Sequence, residues 1–160
     1  MELQGEFPRA LANCSALIGL DLSNNNNLYG HIPSDISTIL QFVTSLDLSF
    51  NNFNGSIPED LSNCTYLNTL NLANNKFSGQ IPLQLGSLYR IKKFSVANNF
   101  LTGRIPNMSN ATSESYKNNS GLCGVPLPHC RAKLKILEDD HFITGFVVGM
   151  ISSGISVTVS

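Results

Sequence analysis

The 160-residue sequence predicts an α/β repeat solenoid: an arc with a parallel concave β-sheet and an irregular, 3₁₀ or short-helix convex side. Three observations carry that prediction. The phrase LNTLNLANNKFSGQIP at 67–82 recurs as SLDLSFNNFNGSIP (45–58), as KFSVANNFLTGRIP (93–106) and, stretched, as GLDLSNNNNLYGHIP (19–33), and its tail opens the chain as LQGEFP (3–8). Prolines at 8, 33, 58, 82 and 106 and glycines at 5, 30, 55, 79 and 103 step together by 25, 25, 24 and 24 residues. Within each unit apolar and polar residues alternate, as in Leu70-Asn71-Leu72, which is the period of a half-buried strand.

Each element of the unit has a physical reason. A single short strand cannot bury its leucines, but strands stacked in parallel share ladder hydrogen bonds and merge their leucines into one core. The chain must then bend away, and an asparagine amide, which both donates and accepts, can satisfy the backbone groups that leave the ladder. Asn25, Asn51, Asn75 and Asn99 are therefore expected to form an internal polar column. Gly79 opens a backbone conformation closed to other residues, and Pro82 ends pairing before the convex return. In the returns at 9–18, 34–45, 59–69 and 83–93, pairs such as Ile36/Ile39 and Leu85/Leu88 recur at helical or 3₁₀ spacing and should point inward.

A period of 24–25 residues falls in the range of leucine-rich repeats. The phrase LxxLxLxxNxLxGxIP resembles the plant-specific form of that repeat, found in receptor-like kinases and receptor-like proteins of plant cell surfaces, over about residues 1–130. FSVANNFLTGRIP followed by NNSGLCGVPLPHC (118–130) is similar to the end of the ectodomain in the BIR-type inactive receptor-like kinases. That resemblance implies binding to SERK-type coreceptor ectodomains to restrain immune or growth signalling. It also implies a C-terminal cap closed by a Cys123–Cys130 disulfide, and hence an oxidising compartment. A zinc site there would need two ligands beyond the two cysteines, and His129 alone is not enough.

The start, MELQGEFPRALANC, carries neither a basic n-region nor an apolar h-region and begins within a repeat, so a segment of a longer chain is expected. An extra asparagine in NNNN (24–27) and the longer return STILQFV (37–43) stretch the step from Leu20 to Leu46 to 26 residues, which predicts a bulge and a local loop. Cys14 and Cys64 share a phase two repeats apart. At roughly 10 Å they are too far apart for a disulfide, and they are expected to be free, buried and structural. Asn13, Asn54, Asn63, Asn107, Asn110 and Asn118 each open an Asn-X-Ser/Thr glycosylation sequon, with Asn54 and Asn110 expected to be the most exposed.

The organisation read from these features is repeats over 1–106 (a partial repeat at 1–8, then four), a cap over 107–130, a juxtamembrane linker over 131–141 and a transmembrane helix over 142–160. FITGFVVGMISSGISVTVS is 19 residues without charge, long enough to start a membrane span, and Gly145, Gly149 and Ser153 give it a small-residue face. No basic stop-transfer cluster follows it. The expected location is the plasma membrane, single-pass, with the repeats outside the cell.

A net charge of −1 and the lack of a basic, aromatic-interleaved patch argue against nucleic acid as a partner. No GxSxG, glycine-rich phosphate loop, HExxH or CxxC occurs, so no enzyme, cofactor, metal or small-molecule substrate is predicted. Asp21 and Asp47 could form a carboxylate pair, but as outward residues of the LDL phrase they read as a solvated concave surface. What remains is a protein-binding face. Its expected rows are Gly19, Ser45, Thr69, Lys93; Asp21, Asp47, Asn71, Ser95; and Ser23, Ser49, Ala73, Ala97. Charge passes from Asp21 and Asp47 to Lys93, and Phe50 and Phe100 are the candidate exposed anchors. Two functions follow: the ectodomain of a membrane-anchored receptor-like regulator, or a soluble leucine-rich repeat inhibitor of a secreted enzyme, as in the polygalacturonase inhibitors.

Overall fold

The leucine alternation produces two parallel sheets that share the core between them. The structure, a computed structural model, describes residues 3–130. The concave sheet is made of β2 (Gly19–Asp21), β4 (Ser45–Asp47), β6 (Thr69–Asn71) and β8 (Lys93–Ser95), in that order. Its register places Leu20, Leu46, Leu70 and Phe94 side by side. Their inward side chains, with Leu22, Leu48, Leu72 and Val96 two residues on, are buried.

A second sheet, which the repeat phrase did not announce, runs through the Asn-to-Gly half of each unit. Its strands are β1 (Gln4–Gly5), β3 (Asn27–Gly30), β5 (Asn52–Gly55), β7 (Lys76–Gln80), β9 (Phe100–Arg104) and β10 (Gly121–Cys123), again paired in parallel in chain order. Leu28, Phe53, Phe77 and Leu101 point inward from it and are buried, with Phe53 and Phe77 stacked 6.4 Å apart. At the strand ends the repeat glycines take left-handed backbone; Gly79 has φ +76°.

The convex returns are single 3₁₀ turns at Arg9–Asn13, Glu59–Asn63 and Leu83–Ser87. The one-residue-longer return is instead a short α-helix, α1 (Ile36–Ile39), closed by Leu40 N–H donating to the Ile36 carbonyl at 2.9 Å. The extra residue is enough to convert an i→i+3 turn into an i→i+4 one. Ile36, Ile39, Leu61, Leu67, Leu85 and Leu88 are buried; Leu11 and Leu17 of the first return are only partly so.

Beyond Pro106 the chain adds a shorter coil. The 3₁₀ turn Ser113–Tyr116 places the buried Tyr116 ring 5.6 Å from Phe94, and β10 extends the second sheet. Cys123 and Cys130 are joined by a disulfide, with Cα atoms 4.9 Å apart. The bond ties the last strand to the segment that follows it, from which Leu127 packs against the core.

Cys64 is buried, but Cys14 is exposed, which corrects the expectation that both are buried. The phase is shared, but a core position is closed by the coils on both sides of it, and Cys14 lies in the first described return. Among the described residues no helix is long and apolar enough to cross a membrane. The expected linker at 131–141 and span at 142–160 lie outside the described residues.

Candidate functional site

The asparagine column decides how the binding surface is held. Asn25, Asn51, Asn75 and Asn99 are buried, and so is Asn119 of the last coil, which the repeat phrase did not flag. Each Nδ2 from Asn51 onward donates back one coil: Asn51 to the Leu22 carbonyl, Asn75 to Leu48, Asn99 to Leu72 and Asn119 to Val96, at 2.8–3.0 Å. Each Oδ1 also accepts a backbone N–H from the preceding coil: Asn25 from Leu3, Asn75 from Phe53, Asn99 from Phe77 and Asn119 from Leu101. The exception is Asn51 Oδ1, buried and without a partner among the described residues. The donor it should meet belongs to Leu28, but the extra asparagine puts Leu28 three residues past the column instead of two. The bulge sits at Asn26, where φ is +45°. A single inserted residue thus leaves one buried acceptor orphaned.

The outward rows of the concave sheet are in register: Gly19–Ser45–Thr69–Lys93 and Asp21–Asp47–Asn71–Ser95. The second row is busy with the turn that follows. Asp21 Oδ1 accepts from Ser23 N–H, Asp47 Oδ1 from Ser49 N–H, Asn71 Oδ1 from Ala73 N–H and Ser95 Oγ from Ala97 N–H. These are Asx- and Ser-type turns, which explain why short polar residues recur there. Asn71 Nδ2 reaches across to Asp47 Oδ2 at 2.9 Å. The Ser23 backbone N–H and then its hydroxyl hold the Asp21 carboxyl below its ordinary range. The third expected row is a correction: Ser49, Ala73 and Ala97 are buried, because the chain is already turning inward toward the asparagine column. Lys93 is exposed, and Lys92 and Arg90 lie exposed beside it.

One lane runs along the rim between the two sheets, immediately before each column asparagine. Asn24, Phe50, Asn74, Asn98 and Asn118 all have left-handed backbone, with φ between +55° and +59°. Asparagine tolerates that conformation far better than phenylalanine. Asn98 Nδ2 donates to Asn74 Oδ1, and Asn118 Nδ2 to Asn98 Oδ1. Phe50 breaks this ladder and leaves its ring half exposed. Phe100 is elsewhere, on the outer face of the second sheet, and 67% exposed.

Sequence reasoning missed a second exposed lane, three residues ahead of each concave strand: Ala16, Phe42, Tyr66 and Arg90. Phe42 and Tyr66 pack with ring centroids 6.0 Å apart, and the Arg90 guanidinium lies 5.6 Å from the Tyr66 centroid and 5.7 Å from that of Tyr89. All three aromatics are exposed. The repeat spacing was the available signal, since Phe42, Tyr66 and Arg90 occupy one phase of it. Their chemistry, exposed aromatic rings beside a guanidinium, is that of protein-interface anchors.

Of the sequon asparagines, Asn13, Asn63, Asn107, Asn110 and Asn118 are exposed, while Asn54 is half-buried within β5. The Asn110 amide donates to the Ile91 carbonyl at 2.8 Å and that of Asn63 to Asp60.

A family model described as Leucine Rich Repeat matches residues 42–64 and 66–88. The chain is 52% identical over 133 residues to a protein of Arabidopsis thaliana named "Probably inactive leucine-rich repeat receptor-like protein kinase", covering 81% of this chain and 21% of that protein. It thus spans about a fifth of the length of that relative. Among solved structures, the BIR2 ectodomain from Arabidopsis thaliana matches with a TM-score of 0.78 and 47% identity over 81% of this chain and 69% of that one. A chain of the BIR3–SERK2 complex from the same plant matches with a TM-score of 0.78 and 45% identity, covering 82% and 70%. Repeat phase, asparagine column, disulfide-closed last coil and these likenesses agree: the chain belongs to the plant leucine-rich repeat receptor-like kinase family, and its fold is similar to that of the BIR2 and BIR3–SERK2 ectodomain structures.

Proposed function

We propose that this chain is the extracellular binding module of a plasma-membrane receptor-like regulator and that it docks on a SERK-type coreceptor ectodomain to restrain immune or growth signalling. The observation that carries this reading is the exposed Phe42–Tyr66–Arg90 lane. It offers large, semi-rigid apolar area at low entropy cost, with a cation held in place by two rings. Lys92 and Lys93 flank its basic end and the Asp21–Asp47 pair lies toward the other, so an approaching partner meets an oriented field. The likeness to a chain of the BIR3–SERK2 complex supports a coreceptor ectodomain as the partner class. The role is recognition, with no catalytic step assigned to any residue.

The test is binding of the purified chain to an immobilised SERK-type ectodomain by biolayer interferometry. Tyr66→Ala with Arg90→Ala is expected to weaken binding at least tenfold, about 1.4 kcal/mol or more, while leaving the melting temperature within about 2 °C. Unchanged affinity in the folded double variant would sink the proposal.

A further inference from the structure

We infer that Asn118 is an N-glycosylation site whose first sugar packs on the exposed ring of Phe100. The lane that holds Phe100, three residues before each repeat glycine, otherwise carries Asn27, Asn52 and Lys76, the polar residues expected on a wet sheet face. Phe100 alone puts an aromatic ring there, 67% exposed. It lines an open cleft with Thr102, Asn118, Ser120 and Gly121, so the ring and both ends of the Asn118-Asn119-Ser120 sequon share one concavity.

The occupant follows from the chemistry. A pyranose presents one face of C–H bonds rimmed by hydroxyls. The C–H face removes apolar ring surface from water, and the hydroxyls remain within reach of Thr102 and Ser120. Asn118 is exposed and the last of its left-handed lane among the described residues. Its Nδ2 spends one hydrogen on Asn98 Oδ1. Transfer needs only the other. The Nδ2–C1 bond forms as the C1–O bond of a lipid-diphosphate-linked oligosaccharide breaks, the amide proton leaves to base, and the lipid diphosphate departs. The remaining N–H can still hold Asn98. Of the other sequon asparagines, Asn54 is half-buried in its strand.

This inference rests on the extracellular reading, but its test does not. The full chain, expressed behind an added secretory leader, is analysed by glycopeptide mass spectrometry and thermal melting. Expected are occupancy of Asn118, a fall in melting temperature of about 3 °C in Ser120→Ala, and no such fall when the wild-type glycan is trimmed to its first sugar. In a Phe100→Ala background, Ser120→Ala should leave the melting temperature unchanged. An unmodified Asn118, or an equal fall with and without the Phe100 ring, would overturn the inference. Occupancy at any other sequon reports that the chain reached the compartment, so an empty Asn118 cannot be blamed on failed secretion.

Discussion

Replacing Phe50 with asparagine should stabilise the fold while weakening the proposed complex with a coreceptor ectodomain. Phe50 sits at φ +55°, in a lane where Asn24, Asn74, Asn98 and Asn118 occupy the same conformation. Left-handed backbone costs a residue with a bulky side chain about 1–2 kcal/mol, and much less for asparagine. Asparagine at 50 would also stand beside Asn74, whose Oδ1 already accepts from Asn98 at 2.8 Å. Completing that ladder at the surface adds about 0.5 kcal/mol. Against this stands the half of the ring that is covered, about 1 kcal/mol by area. The balance is a gain of about 1 kcal/mol, read as a rise of about 2–4 °C in a calorimetric melt of the full chain. Under the proposed function the same variant should bind a SERK-type ectodomain at least fivefold more weakly, because among the described residues this ring is the one exposed aromatic on left-handed backbone. A fall in melting temperature of more than 2 °C would show that the ring is an internal packing element and refute the argument.

Three further outcomes are expected. Deleting Asn26 should bring Leu28 N–H onto Asn51 Oδ1, as Phe53 N–H meets Asn75 Oδ1, and satisfying that buried acceptor should add about 1 kcal/mol in denaturant titration. Asn75→Ala removes the donor to the Leu48 and Leu72 carbonyls and the acceptor for Phe53 N–H at once. The cost should be about 3 kcal/mol, a drop of roughly 10 °C, whereas Asn71→Ala on the concave surface should cost less than about 1 kcal/mol. A maleimide at neutral pH should label Cys14 quickly and reach Cys64 only on unfolding, since Cys64 is 1% exposed and burial, with Asp60 nearby, pushes its thiol up to about 12. Two fast-reacting thiols in the native chain would contradict that placement.

The solenoid was legible from the spacing of Gly79, Pro82 and their counterparts, because a coil that buries its leucines only against its neighbours must repeat its anchors in register; the family was legible only through the resemblance of the repeat phrase itself. The first two outward rows were legible for the same reason, since a period of two fixes which face each residue takes. The third row was misread: at Ser49 and Ala73 the strand has already ended, and alternation no longer tells inside from outside. The helical rather than 3₁₀ return at Ile36–Ile39 was visible as one extra residue, but its hydrogen-bond pattern was not.

The sequence by itself determined the stacking direction, the core lanes Leu20–Leu46–Leu70 and Leu22–Leu48–Leu72, and the asparagines that turn the chain, because each is a property of one coil multiplied by the period. The tertiary structure alone decided what happens between coils. The orphaned Asn51 Oδ1, the Phe42–Tyr66–Arg90 stack, the exposure of Cys14 and the cleft beside Phe100 all depend on which atoms of one coil meet those of the next. A few residues of offset decide such meetings, at distances of 3 to 6 Å that no spacing along the chain encodes.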